Sequence, residues 1–315
     1  YKNSELKSLT EAIVASTEAI KDKHVYVGQV SLSSNNELKD LALQCIATNK
    51  VDIIASYQSK KTHEKLIELD IPAAKLSLPL EDEVLSCQSL DDIANIDVQL
   101  FQKRVLIIAI PPQLKKGRLD YPLKIQQLIH MAELGNTAHI ILLNSTAIYN
   151  GLYGRVDETS ELNLSAEKVE TLVDAEQASK KFTKGLTILR LAGLVGPNRH
   201  PGKFLQVKRV FENAGAPVNL VHQVDVIQII EKLIGDDNVH IEPNIYNVVS
   251  NTDSNRQQYY QVAAESLGLP LPQFSFEQQK TTGKKIIGER LRSKLNYTYK
   301  KDDLLTWLKE ASRAL

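Results

Sequence analysis

The sequence predicts an α/β fold built on a doubly wound, mostly parallel sheet. Two observations carry this. Apolar runs such as 105–110 and 186–191 show almost no alternation, as expected of strands covered on both faces. Between such runs lie segments with apolar residues at i, i+3, i+4 and i+7, the stripe of a helix packed on one side. Strand and helix alternate along the chain, the pattern of parallel strands joined by helical crossovers. With 315 residues the chain suits one large α/β domain, or one domain with a small lobe.

Residues 4–21 read as a helix leading into a first strand over 25–32. A polar loop, Ser33-Ser34-Asn35-Asn36, precedes a helix with Leu38, Leu41, Ala42, Cys45 and Ile46 on one stripe; Asn35 or Asn36 is its expected N-cap. A strand over 51–55, a helix over 62–69 and a strand over 74–78 complete the first half of the sheet. Residues 81–100 are acidic and weakly periodic, an insertion or a short helix. The strand over 105–110 is stopped by Pro111-Pro112, which cannot donate to a ladder. A helix over 121–134 puts Ile125, Leu128, Ile129 and Ala132 on one face, and a strand over 139–143 ends in Asn144-Ser145-Thr146. After a glycine-containing loop to Arg155, a helix over 165–184 leads into the strand that ends at Leu191. Beyond it come a helix carrying Phe204, Val207 and Phe211 and a strand over 217–221. A helix N-capped by Asp225, with Val226, Ile229, Ile230 and Leu233 inward, is followed by a strand over 244–249. A helix ending at Gly268 and a last helix begun by Asp302 or Asp303 complete the reading.

Charge and composition exclude several functions. Lys plus Arg number 38, as do Asp plus Glu, so no net field draws the chain to nucleic acid or to an anionic membrane. No run of 18 apolar residues and no apolar signal-peptide core occurs, so a soluble, cytoplasmic protein is expected. Cys45 and Cys87 form no CxxC, and the seven histidines show no HxxxH or HExxH spacing; neither a disulfide framework nor a metal site is expected.

The stretch after the 186–191 run stands out. Gly193, Gly196, Pro197, Pro201 and Gly202 stiffen a loop that holds the polar triplet Asn198-Arg199-His200. Open α/β sheets place ligand contacts on loops at the C-terminal ends of their strands. A simple connecting turn is the other reading of the same pattern.

Several segments resemble the extended short-chain dehydrogenase/reductases, the NAD-dependent epimerase/dehydratase superfamily. Ser145-Thr146-Ala147-Ile148-Tyr149 is similar to the S-[ST]-x-V-Y-G segment after the fifth strand, and 190–197 to the R-x-x-x-[VL]-[YV]-G-P strand and loop. Residues 219–226 resemble the I-H-V-x-D-V element and 245–248 the Y-N-[VI] strand; 189–204 and 285–297 are closest to an atypical YeeZ-type branch. The resemblance implies a Rossmann-like domain over 24–198 and 218–250, with a small substrate-binding lobe from 199–217 and 251–315; residues 1–23 would be a helical extension outside it. It further implies NAD or NADP as cofactor, a phosphate- or sugar-bearing small molecule as substrate, and a homodimer.

The chemistry-bearing positions depart from that pattern. The glycines of a G-x-G-x-x-G loop allow a tight turn and close approach of the pyrophosphate; the matching positions here are Ser31, Ser33 and Asn36. A helix N-terminus still attracts an anion there, or the loop binds nothing. The second strand ends Ser56-Tyr57-Gln58, without the acid that grips a ribose; Lys60 and Lys61 suit a 2′-phosphate or simple solvation. The superfamily's Tyr-x-x-x-Lys sets phenol and ammonium on one helical face, but the helix over 165–184 carries no tyrosine. Tyr57 with Lys61 and Tyr297 with Lys301 match the spacing elsewhere. What remains is Ser145, as a donor to substrate or a hydroxyl capping a helix or turn, and Tyr149, as stand-in acid if its pKa is lowered or as a half-buried structural tyrosine. Asn198, Arg199 and His200 would bind a phosphate or carboxylate; His222 and Asp225 read as structural. Two functions follow: an NAD(P)-dependent oxidoreductase or epimerase, or a cofactor-free pseudoenzyme that binds a ligand or partner.

Overall fold

The computed structural model describes residues 24–27, 52–68, 71–197, 199–205, 210–235, 243–275 and 283–313. The expected helix over 4–21, the loop 33–36 and the helix carrying Leu38 to Ile46 lie outside the described residues, as do Ser31 and Asn198.

Among the described residues, a seven-stranded sheet organises the fold. Its strands are β1 (His24–Val27), β2 (Asp52–Tyr57), β3 (Ala73–Lys75), β4 (Val105–Ile108), β5 (His139–Ser145), β6 (Gly185–Leu191) and β7 (Asn244–Val248), in the spatial order β7-β6-β5-β4-β1-β2-β3. β1 lies parallel to β2 (Val25 opposite Ile53) and to β4 (Val25 opposite Val105), and β4 parallel to β5 (Val105 opposite His139). The chain starts at the centre, winds outward to β3, then returns past β1 to wind the other way. This is the doubly wound arrangement that the alternating pattern predicts.

The helices are α1 (Lys60–Glu68), α2 (Tyr121–Leu134), α3 (Glu167–Ser179), α4 (Gln223–Gly235), α5 (Arg256–Glu265), α6 (Glu289–Lys294) and α7 (Leu304–Arg313). The chain divides into two compact units: one from 1–143, 171–188 and 230–244, the other from 144–170, 189–229 and 245–315.

In the first unit all four residues of β4 are buried, and α2 turns Ile125, Leu128, Ile129 and Ala132 to the core, as the stripe predicts. Each such Ile or Leu contributes about 1.5–3 kcal/mol by leaving water. Thr187, a polar interruption of the β6 run, shares a buried 3.0 Å hydrogen bond with His139 Nε2. The acidic stretch 81–100 is a series of 3-10 turns, Asp82–Ser86, Leu90–Asp92 and Val98–Phe101. Ser89 and Asp92 form a reciprocal capping box on the second.

The second unit is knitted by short parallel pairs: Gly193–Val195 with Leu220–His222, Val210–Phe211 with Gln273–Phe274, and Gly154–Val156 with Lys284–Ile286. Val195, Val218, Tyr259, Ala263, Leu304, Trp307 and Leu308 form its core cluster. Here the structure corrects two readings. The helix expected around Phe204 is a 3-10 turn, Pro201–Leu205, and Phe211 is in a strand. Gly202 lies where a Cβ would stand 2.4 Å from the Ala263 carbonyl, and Phe211 gains an aromatic contact with Phe274 at 5.7 Å. Asp225 lies inside the first turn of α4, not before it. Its carboxylate accepts from Tyr297 Oη at 2.9 Å and from the Lys300 and Lys301 backbone N–H groups, stapling that loop. Asp303 does cap α7, accepting from the Leu305 N–H at 3.0 Å and from Thr306 Oγ1.

Candidate functional site

Within the second unit, the chain leaves β5 at Ser145 and enters a 3-10 turn, Thr146–Tyr149. Ser145 has extended backbone, and its Oγ accepts from the Ala147 N–H at 3.1 Å, so it caps the turn. That contact uses a lone pair and leaves the hydroxyl proton for another acceptor. Thr146 Oγ1 donates to the Leu191 carbonyl at 3.2 Å.

The turn carries Tyr149 inward to 0% exposure. Its hydroxyl accepts from Arg190 Nη1 at 2.7 Å and donates to Asn247 Oδ1 at 2.8 Å. Asn247 in turn donates from its backbone N–H to Glu158 Oε1 at 2.6 Å and from Nδ2 to the Ile287 carbonyl at 3.0 Å. Tyr149 follows β5, Arg190 is near the end of β6 and Asn247 near the end of β7, so the network gathers at the C-terminal ends of three strands. Arg190, the second polar interruption of the β6 run, is therefore paired inside the fold.

The electrostatics follow from burial. Desolvation raises the Tyr149 pKa above its ordinary value and outweighs the opposing pull of the Arg190 guanidinium and the Asn247 hydrogen bond. Glu158 is also pushed up by burial, against the hydrogen bond from Asn247. A tyrosine acid needs a lowered pKa and a proton aimed at a ligand. Tyr149 has a raised pKa, and its proton points to Asn247.

The rigid loop splits its polar pair. Arg199 is half-buried; its Nε donates to the Leu194 carbonyl at 2.9 Å and its guanidinium lies 5.2 Å over the Phe204 ring. His200 is buried, with Nδ1 accepting from the Gly202 N–H at 3.2 Å and Nε2 3.3 Å from Ser266 Oγ. Its ring lies 5.6 Å from that of Trp307. Burial, then the Lys203 charge, lowers its pKa, so it is neutral at pH 7 and faces protein. His222 meets the same tryptophan edge-on at 4.8 Å.

On the first unit, Ser33 and Asn36 lie with Ser31 outside the described residues. Ser56 is fully buried in β2, and its Oγ has no hydrogen-bond partner among the described residues. Beyond it the Tyr57 ring stacks on His63 at 4.1 Å. Lys60 faces solvent with Glu64 at 3.9 Å. No carboxylate ends β2, so this strand end does not fit the ribose of an ordinary NAD.

Sequence reasoning passed over Glu158, which gave no signal beyond lying next to Asp157, and treated Asn247 only as part of a strand. It also passed over Lys284, whose Nζ donates to Asn150 Oδ1 at 2.6 Å. Among the described residues no cluster of His, Cys, Asp and Glu is set to hold a metal, and no helix is long and apolar enough to cross a membrane.

No family model matches the chain. It is 32% identical over 253 residues to Protein YeeZ of Escherichia coli K12, a match covering 78% of this chain and 88% of that protein. Among solved structures it is similar to a putative NAD-dependent epimerase/dehydratase from Methylobacillus flagellatus (TM-score 0.70, 16% identity, 93% of this chain and 98% of that one). It is also similar to a UDP-glucuronic acid 4-epimerase from Bacillus cereus in complex with NAD (TM-score 0.66, 13% identity, 91% and 99%). A functionally unknown conserved protein from Silicibacter pomeroyi shares the fold as well (TM-score 0.67, 20% identity, 92% and 99%). The sheet order defines the class, a doubly wound Rossmann-like α/β fold shared with solved epimerase/dehydratase structures. Within that class the chain belongs to the YeeZ family.

Proposed function

We propose that the chain is a small-molecule-binding protein on the epimerase/dehydratase fold that does not carry out the tyrosine-driven proton transfer of its class. One observation carries the reading: Tyr149, the tyrosine next to the strand-end serine, is 0% exposed with its hydroxyl engaged on both sides by Arg190 and Asn247. Helix α3 supplies no replacement, and the end of β2 lacks the carboxylate that grips the ribose of NAD. The ligand class is a polar molecule bearing phosphate or sugar, in keeping with the UDP-sugar enzymes that share the fold. Ser145 is the donor offered to it.

That same hydroxyl favours a second reading, an NAD(P)-dependent oxidoreductase or epimerase in which Ser145 holds a substrate oxygen. Thermal stability measured with NAD, NADH, NADP, NADPH, UDP-glucuronic acid and UDP-N-acetylglucosamine at millimolar concentration separates the two. A ligand at 100 times its Kd adds about 2.7 kcal/mol. A shift with a UDP-sugar and none with the four dinucleotides is the expected result. A dinucleotide shift together with turnover that Ser145→Ala reduces establishes the second reading instead.

A further inference from the structure

We propose that α7 is an acid-released latch: His200 and His222 hold its tryptophan, Trp307, only while both rings are neutral, and their protonation lets the helix leave the core of the second unit. The latch is independent of the ligand; it concerns how this unit opens.

Three segments meet at Trp307, the single tryptophan of the chain. His200 leads into the Pro201–Leu205 turn, and its ring lies 5.6 Å from the indole. His222 ends the strand paired with Gly193–Val195, and its ring meets the indole at 4.8 Å and 72°. All three side chains are buried. α7 enters the core cluster through Leu304, Trp307 and Leu308, but its start is tied separately. The Leu304 N–H donates to Thr252 Oγ1 at 3.0 Å, the Asn251 N–H donates to Asp302 Oδ1 at 2.8 Å, and Arg292 pairs with Asp302 at 2.6 Å. Residues 302–304 are thus a fixed pivot. Beyond it the helix is held by its packing and by the exposed Lys301–Glu310 pair, which contributes little.

Neither ring has room for a second proton. His200 Nδ1 accepts from the Gly202 N–H and His222 Nδ1 from the Val224 N–H, both at 3.2 Å, so each neutral ring carries its proton on Nε2. Nε2 of His200 donates to Ser266 Oγ, which itself donates to the Ala263 carbonyl. Nε2 of His222 has no hydrogen-bond partner among the described residues. A second proton must therefore take Nδ1, which breaks a backbone hydrogen bond and sets a charge in an apolar core. The charges acting on the rings, Lys203 on His200 and Lys301 on His222, oppose it as well. The nearby acids are committed elsewhere or face water. Asp225 is held by Tyr297 and the Lys300 and Lys301 N–H groups, Asp302 by Arg292, and Glu310 by Lys301, while Glu265 at the end of α5 is exposed. Tyr259 on α5 is neutral, its pKa raised by burial. Trp307 is the aromatic cover that both rings share, so movement of α7 alone gives them water. There each takes a proton near the ordinary 6.5. The released form binds more protons, so the latch weakens as pH falls below about 6.5.

Hydrogen exchange of the whole chain, followed by mass spectrometry from about pH 7.5 to about pH 4.5 and expressed as protection factors, tests the latch. Below about pH 6.5 the opening of 304–313 should grow about tenfold per pH unit, and more steeply where His200 joins, while the amides of β4 stay protected. His222→Asn keeps a side-chain oxygen to accept from the Val224 N–H and takes no proton; His200→Asn does the same toward Gly202. The double variant should lose the acid response of α7, even where its protection is lower at every pH. His222→Phe, which keeps a ring against Trp307, should reduce that response. Protection of α7 that does not change with pH overturns the latch. So does opening of α7 and β4 together, which is global acid unfolding, and so does a folded double variant with the native slope. The comparison of α7 with β4 needs only the native chain, so it decides the matter even where a variant fails to fold.

Discussion

Tyr149 shows how a tyrosine beside a strand-end serine becomes part of a core. Its hydroxyl satisfies Arg190 and Asn247 at once, so Tyr149→Phe leaves a buried donor and a buried acceptor unmatched. The expected loss is about 1–3 kcal/mol of stability, read by urea unfolding, with ligand binding by the folded variant unchanged. A drop in affinity at equal stability would return Tyr149 to the binding site. Ser145 responds in the opposite way. Its hydroxyl caps only a short turn, so Ser145→Ala should cost about 0.5–2 kcal/mol while removing a ligand contact. The sequence already allowed a structural, half-buried Tyr149, but its partners were not legible, because Asn247 lies 98 residues away and no local pattern joins the two. The same is true of His200: its neighbours Gly193, Pro197 and Pro201 announce a stiff loop, but not that the ring turns in toward Trp307.

Among the elements, those that bury a whole face or stripe were legible. The four residues of β4 all point into protein, and α2 occupies the range that its apolar stripe marks. The short pairs of the second unit were not. Two or three residues such as Val210–Phe211 carry no period, and their pairing with Gln273–Phe274 is set by the surrounding core. Helix α7 anchors that core through Trp307, 6% exposed and flanked by His200 and His222. Trp307→Ala is expected to destabilise by about 3–5 kcal/mol, measured by denaturant titration. At the end of α2, a Cβ on Gly135 would stand 2.0 Å from the Phe101 carbonyl oxygen. Gly135→Ala should therefore cost about 1–3 kcal/mol through backbone displacement, although its φ of −80° is open to any residue.

At the scale of the molecule, buried titratable groups set an acid and an alkaline limit. Burial, with the Lys301 charge adding to it, lowers His222 to about 3. The unfolded chain takes up that proton near pH 6.5, so stability falls as pH drops from about 6.5 toward 3. Glu231 on α4 has the opposite sign, since burial raises its carboxyl to about 7. The folded protein then keeps a proton that the unfolded chain releases near 4.5, and stability is lost as pH rises through about 7. Glu231→Gln should add roughly 1–3 kcal/mol at pH 8 and almost nothing at pH 4, as urea midpoints at the two values will show. Equal gains at both would locate the effect in packing.

The interleaving of the two units has a practical consequence for dissecting the protein. Each is assembled from three separated stretches of chain, so no single cut yields either one whole. A fragment stopping at Leu143 lacks 171–188 and 230–244, and one starting at Asn144 carries those segments without the rest of their unit. Loss of binding in deletion mapping would therefore report a broken fold rather than a missing ligand contact. Point substitutions such as Ser145→Ala are the sounder instrument for assigning a role to either half.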